Sequence, residues 1–176
     1  MLYNGQVLSA LSRIFTVTGK PAYRAAAARL AGRFVEKFKS DGCYVGDDYR
    51  KPNPISTSWM ALSLLDYAKA TGDSYCRSLA LLLSRNLLGR QIHAPGDPTR
   101  HGRWERAFSS SGNGWLAEVM SEFYCYGLAQ GLEDCDRYKR SIVRASRWVL
   151  QHALTGPSAY GAANPGRARG GILWKI

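Results

Sequence analysis

Apolar side chains recur every three or four residues in six stretches of the sequence, and polar or turn-forming residues separate these stretches. This spacing places apolar side chains on one face of an α-helix, because a helix completes a turn in about 3.6 residues. The pattern therefore predicts six helices. Their expected ranges are 5–16, 21–39, 59–70, 75–89, 114–130 and 137–153.

The predicted helices differ in how much of their surface is apolar. The helix at 59–70 is apolar on nearly every side, as is the helix at 114–130, and such helices need neighbours on more than one side. The helices at 21–39 and 137–153 instead carry an apolar stripe with Arg and Lys opposite. Enclosed and one-sided helices therefore alternate, which favours an inner and an outer layer.

The connections between the helices alternate as well, short then long. Short turns that follow the first, third and fifth helices should lie at one end of the stack, and the long Gly- and Pro-rich loops at the other. The repeat measures about 55 residues, from Trp59 to Trp115. We expect one all-α domain over residues 1–176. Its three antiparallel helical hairpins would span about 5–39, 59–89 and 114–153, followed by a C-terminal loop at 154–176.

Composition and charge narrow the possible partners. The 176 residues carry a net charge of +11, which favours an anionic ligand, although most basic residues fall on solvated helix faces and nucleic acid is not the expected partner. No run of 18 apolar residues occurs, so no membrane span is expected. The four cysteines and three histidines lack zinc-site spacing, and we expect no metal and no cofactor. No signal-peptide pattern is visible, which favours a cytoplasmic protein.

Three strings in the chain point to a known architecture: ALSLLDYAKATGD at 61–73, NGWLAE at 113–118 and NPGRARGGI at 164–172. With the alternating hairpins, they resemble the α/α toroid folds of six-hairpin glycosidases, polysaccharide lyases and sugar epimerases. The resemblance implies a carbohydrate-active domain that acts on a poly- or oligosaccharide, with a uronate-containing one among the candidate substrates. Three hairpins make half of the usual ring, so we expect a homodimer or a missing second half to complete it.

In toroid enzymes the active site lies in a funnel at the rim that bears the long loops, and this placement selects the candidate residues. A hydrolase would use two carboxylates, for which Asp48 and Glu105 are the expected pair. A lyase or epimerase would use Tyr49 or His101 as the base, with an Arg to neutralise a substrate carboxylate. The expected substrate-binding residues are Asp47, Arg50, Arg103, Trp104, Arg106, Asn113, Glu118 and Trp174.

Two other functions are compatible with parts of the pattern. Helical repeats also form non-catalytic interaction modules, which would bind an anionic polymer or a protein through the basic faces. Terpenoid chemistry would need an acidic cluster on an inner helix, but Asp47 and Asp48 fall in a predicted loop without a further acidic partner. The carbohydrate-active domain is therefore the leading hypothesis and the interaction module its alternative.

Overall fold

The computed structural model describes residues 2–41 and 53–151, and this part of the chain is all-helical. The helices are α1 (Leu2–Thr18), α2 (Pro21–Asp41), α3 (Pro54–Thr71), α4 (Ser74–Gly89), α5 (Ser110–Gln130) and α6 (Cys135–Gln151). The predicted all-α class and the order of the six helices are confirmed. None of the described helices is long and apolar enough to cross a membrane.

Side-chain caps determine where two of the helices begin, and they move both starts from the predicted positions. The Oδ1 of Asn53 accepts a hydrogen bond from Ile55 N at 2.8 Å, and Pro54 occupies the first turn, so α3 begins there rather than at residue 59. The Oγ of Ser109 accepts from Gly112 N at 3.0 Å, so α5 begins before residue 114. Both caps lie just before the ranges that the apolar periodicity predicts for these helices.

The packing order of the helices follows the alternation in the sequence. Helices α1, α3 and α5 are neighbours in that order, and α2, α4 and α6 each pack on the helix that precedes them in the chain. Helix α3 is the most enclosed, with 12 of its 18 residues buried. Helix α6 is one-sided, and its buried residues Tyr138, Ser141, Ala145 and Trp148 lie on a single face. We call α1, α3 and α5 the inner helices; closure into a toroid stays a prediction.

Helix α1 differs from the expected enclosed helix. Leu8 and Ser12 are buried, whereas Val7 and Ile14 are 50% and 41% exposed. Gly5 lets α1 and α3 approach closely, because a Cβ at this position would lie 3.0 Å from the backbone of Trp59. The apolar face of α1 is thus only partly covered by the described part of the chain.

Candidate functional site

Several predicted site residues lie outside the described residues. These are Asp47, Asp48, Tyr49, Arg50 and Trp174. The carboxylate pair of Asp48 and Glu105 therefore stays a prediction. Glu105 itself is on the surface of the loop between α4 and α5, where its side chain is 51% exposed and lies 3.4 Å from Arg90 Nη1.

Trp104 was expected to bind substrate, for which a tryptophan would stack its ring on a sugar, but the ring is fully buried. Its Nε1 donates to Leu87 O at 2.8 Å, and its backbone N donates to Asn113 Oδ1 at 2.9 Å. The backbone of Trp104 also pairs with Gln91 as an isolated antiparallel bridge. A platform needs an exposed ring face, so this burial argues against a substrate-binding role for Trp104.

Asn113, also an expected substrate-binding residue, is fully buried, and its side-chain amide forms hydrogen bonds to backbone atoms only. Its Nδ2 donates to Ala107 O at 2.8 Å and to Ser109 O at 2.9 Å, while its Oδ1 accepts from Trp104. These bonds fasten the loop to the first turn of α5. An amide with all three groups engaged is a structural residue, which argues against ligand binding by Asn113.

The remaining loop candidates make local contacts rather than a common site. The Nδ1 of His101 accepts from Ala94 N at 3.1 Å, and the imidazole meets His93 edge to face at 5.1 Å. The guanidinium of Arg103 lies 5.0 Å from the Phe108 ring, and its burial lowers the pKa of this group. Arg106 is exposed and has a φ of 61°. The contacts of His101 and Arg103 are thus made with side chains and backbone of their own loop.

A groove between the three inner helices does gather polar side chains. It has a volume of about 300 Å³. Its walls come from α1, α3 and α5, which supply Gln6, Ser9, Ala10, Arg13, Trp59, Leu62, Glu118 and Glu122. Glu118 was among the predicted substrate-binding residues, so the groove contains one member of the expected set.

Two buried polar groups beside this groove have no hydrogen-bond partner within residues 2–41 and 53–151. They are the hydroxyl of Ser9 and the indole N–H of Trp59. Leaving a buried donor unsatisfied costs about 1–3 kcal/mol, so most such groups in proteins are paired. Both residues line the groove, so a ligand or a water that entered beside them could accept these hydrogen bonds.

The charges of the groove are predominantly acidic. Glu118 and Glu122 are four residues apart on α5 and therefore share one face of that helix. Arg13 is paired with Asp66, whose hydrogen bond raises the pKa of the guanidinium, and both glutamates add to that effect. Lys69 approaches Glu122 at 3.9 Å. The groove thus presents two carboxylates beyond the Arg13–Asp66 pair.

Most of these groove residues were not predicted as site residues. The sequence pattern does not mark Trp59, Ser9 or Arg13 as site residues. The four-residue spacing of Glu118 and Glu122 was the available signal, but only the packing of α1 and α3 brings partners to that face.

Among the described residues no group of three or more His, Cys, Asp or Glu side chains is placed to hold a metal. No family model, curated protein or solved structure matches the chain.

Proposed function

We propose that the chain is a carbohydrate-active domain that binds a saccharide in the groove between the inner helices. The observation that carries the proposal is the pair of unsatisfied donors, Ser9 Oγ and Trp59 Nε1, in the same groove as Glu118 and Glu122. Carboxylates accept hydrogen bonds from sugar hydroxyls, and the two donors complement sugar oxygens. A partly exposed indole adds an apolar surface for the sugar ring.

The charge of the groove favours a neutral or amino sugar over a uronate. A uronate carboxylate would meet Glu118 and Glu122, and Arg13 is already occupied by Asp66. Like charges at short range oppose binding, and partial burial strengthens the repulsion. The uronate-containing substrate that the toroid resemblance implies is therefore the less favoured ligand.

The groups in the groove favour hydrolysis over elimination. A glycoside hydrolase needs two carboxyl groups, one acting as acid and the other as base or nucleophile, and Glu118 and Glu122 are the candidates. A lyase needs a Tyr or His base with a cation for the uronate, and no Tyr or His lines this groove in the described structure. We infer a hydrolase-type site, with Ser9 and Trp59 holding the substrate.

Binding of neutral oligosaccharides, measured by glycan array and then by calorimetry, tests the proposal. We expect Glu118→Gln and Glu122→Gln each to weaken binding at least about tenfold, which corresponds to about 1.4 kcal/mol. The matched control is Glu133→Gln, which removes an exposed carboxylate in the turn after α5 and should leave affinity unchanged. Affinity that survives both groove variants would contradict the groove as the site.

Two further measurements separate the groove from the loop and binding from catalysis. Glu105→Gln should leave saccharide binding unchanged. If this variant no longer binds the saccharide, the site lies in the loop between α4 and α5 instead. Release of reducing ends from the bound oligosaccharide tests hydrolysis, which Glu118→Gln should abolish. Binding without any release by the unmodified protein would reduce the proposal to a carbohydrate-binding module.

A second candidate, a helical-repeat interaction module, is favoured by the exposed face of α1. Tyr3, Val7, Ala10, Ile14 and Val17 are all exposed, and their alternating four- and three-residue spacing is that of a coiled-coil seam. The only charged residue of α1 is Arg13, so two copies of this face would not repel strongly. Light scattering tests self-association: this candidate predicts a dimer that Val7→Lys converts to a monomer.

A further inference from the structure

A second cleft lies between α4 and α6, away from the groove of the inner helices. It has a volume of about 220 Å³ and is lined by Leu88 of α4 and by Arg137, Arg140 and Arg144 of α6. The three arginines are spaced by three and four residues, which places them on one face of the helix. We call this cavity the arginine cleft.

The charge of the arginine cleft is not neutralised from within. Arg137 Nη1 lies 3.2 Å from Asp134 Oδ1, but Asp134 also accepts a hydrogen bond from Arg85 Nε at 2.5 Å. Arg140 makes no hydrogen bond or ion pair with the residues that the structure describes. No carboxylate lines the cleft itself. Of the three cleft arginines, only Arg137 is therefore paired with a carboxylate, and Arg85 also binds that carboxylate, which lies outside the cleft.

Arg144 is held in place by a neutral side chain. Gln91 is buried, and its Nε2 donates to Gly102 O at 2.8 Å and to Ser141 O at 2.9 Å. These bonds fix the amide so that its Oε1 accepts from Arg144 Nη2 at 2.7 Å and from Arg144 Nε at 3.1 Å. The guanidinium is thus oriented without loss of its charge. Partial burial and the neighbouring Arg140 both lower the pKa of Arg144, which reflects the cost of this arrangement.

We propose that the arginine cleft binds a tetrahedral dianion, namely a phosphate or sulfate group. Guanidinium groups present forked N–H donors that match the oxygens of such a group, and a dianion relieves the repulsion among the three arginines. The cavity has the volume of roughly seven waters at about 30 Å³ each, enough for the anion and some of its hydration. The site belongs to an outer helix and does not depend on saccharide binding in the inner groove.

Calorimetric titration with sodium sulfate and sodium phosphate tests the proposal, with ionic strength held constant by sodium chloride. We expect saturable binding of one anion per chain. Arg140→Gln should weaken that binding at least about tenfold, because it removes the one cleft arginine without a partner among residues 2–41 and 53–151. The matched control Arg147→Gln removes an exposed charge from the same helix and should change the affinity less than twofold.

Further variants and anions distinguish binding at a specific site from general electrostatic attraction to the basic protein. Arg140→Lys keeps the charge but loses the fork, so its affinity should fall between those of Arg140→Gln and the unmodified protein. Relative affinity for sulfate and phosphate identifies the preferred group. The proposal is overturned if neither anion saturates, if Arg147→Gln weakens binding as much as Arg140→Gln, or if acetate binds as tightly as the dianions. Circular dichroism establishes that each variant is folded.

Discussion

Arg13 Nε on α1 donates a hydrogen bond of 2.9 Å to Asp66 Oδ2 on α3, and this ion pair links two inner helices. The side chain of Asp66 is only 5% exposed, whereas that of Arg13 is 58% exposed. Asp66 has no second ion pair within the described part of the chain. A carboxylate taken out of water in this way depends on its single cation for compensation.

Replacing Arg13 by Met should therefore destabilise the protein. We expect the free energy of unfolding to fall by about 2–3 kcal/mol, below the range for a fully buried pair because Arg13 is half exposed. The double variant Arg13→Met, Asp66→Asn should recover part of that loss, because it no longer leaves a charge buried. Urea denaturation of the two single variants and the double variant measures the coupling, and additive effects would show that the pair contributes nothing.

Gly102 is required where the loop after α4 crosses α6. Its φ is +101°, and a Cβ at this position would lie 2.5 Å from the carbonyl oxygen of Arg144. Gly102→Ala should lower the free energy of unfolding by at least about 2 kcal/mol, from strained backbone and displacement of the loop. As the control, Gly32→Ala in α2 meets nothing within 4 Å and should stabilise by up to about 1 kcal/mol. Equal melting temperatures for the two variants would refute this account.

The helices were predictable from the sequence because each has enough apolar periodicity to identify it. The predicted helix starts were less accurate. Asn53-Pro54 forms the cap and first turn of α3, but the pair adjoins a loop rich in Gly, Pro and Asp and so resembles part of that loop in the sequence. The exposed face of α1 could not be predicted at all. Periodicity shows that a face is apolar, but whether a neighbour covers that face depends on tertiary packing.

The candidate site was harder to predict than the fold. Aromatic and charged residues in a long loop favour a binding role. Trp104 is nevertheless buried, and it donates hydrogen bonds to the Leu87 carbonyl and to the Asn113 side chain. The groove arises from side chains that are far apart in the chain, such as Ser9 and Glu122. The sequence around each of these residues gives no sign of a site, and only the packing of the inner helices brings their side chains together.

Asp134 should make stability depend on pH. Its hydrogen bond from Arg85, with a further one from Arg137, holds the pKa of the Asp134 carboxyl below its usual range. A lowered folded-state pKa stabilises the fold above the unfolded-state value, near 4, and this contribution is lost as pH falls through the folded-state pKa. Asp134→Asn should thus cost about 1 kcal/mol at pH 7 and little at pH 3.

Urea denaturation at pH 7, 5 and 3 measures this difference. The control is Glu133→Gln, which removes an exposed carboxylate from the same turn and should change the free energy of unfolding by less than about 0.5 kcal/mol at pH 7. If the cost of Asp134→Asn is as large at pH 3 as at pH 7, the carboxylate contributes through packing rather than through its charge.

Cys76 and Cys125 should differ sharply in their reactivity. Cys76 is 4% exposed, and burial, with Asp73 nearby, raises the pKa of its thiol to about 12. Burial outweighs the helix N-terminus beside it, which by itself favours a thiolate. At pH 8 roughly one Cys76 side chain in ten thousand would be ionised, given that pKa, whereas Cys125 is exposed.

Iodoacetamide at pH 8, followed by peptide mass spectrometry, should therefore label Cys125 within minutes and leave Cys76 unmodified for hours. In urea the two should react at similar rates, because unfolding removes the burial that protects Cys76. Labelling of both cysteines at the same rate in the native protein would mean that the start of α4 opens often. The packing of Cys76 against the core would then not be a stable feature of the fold.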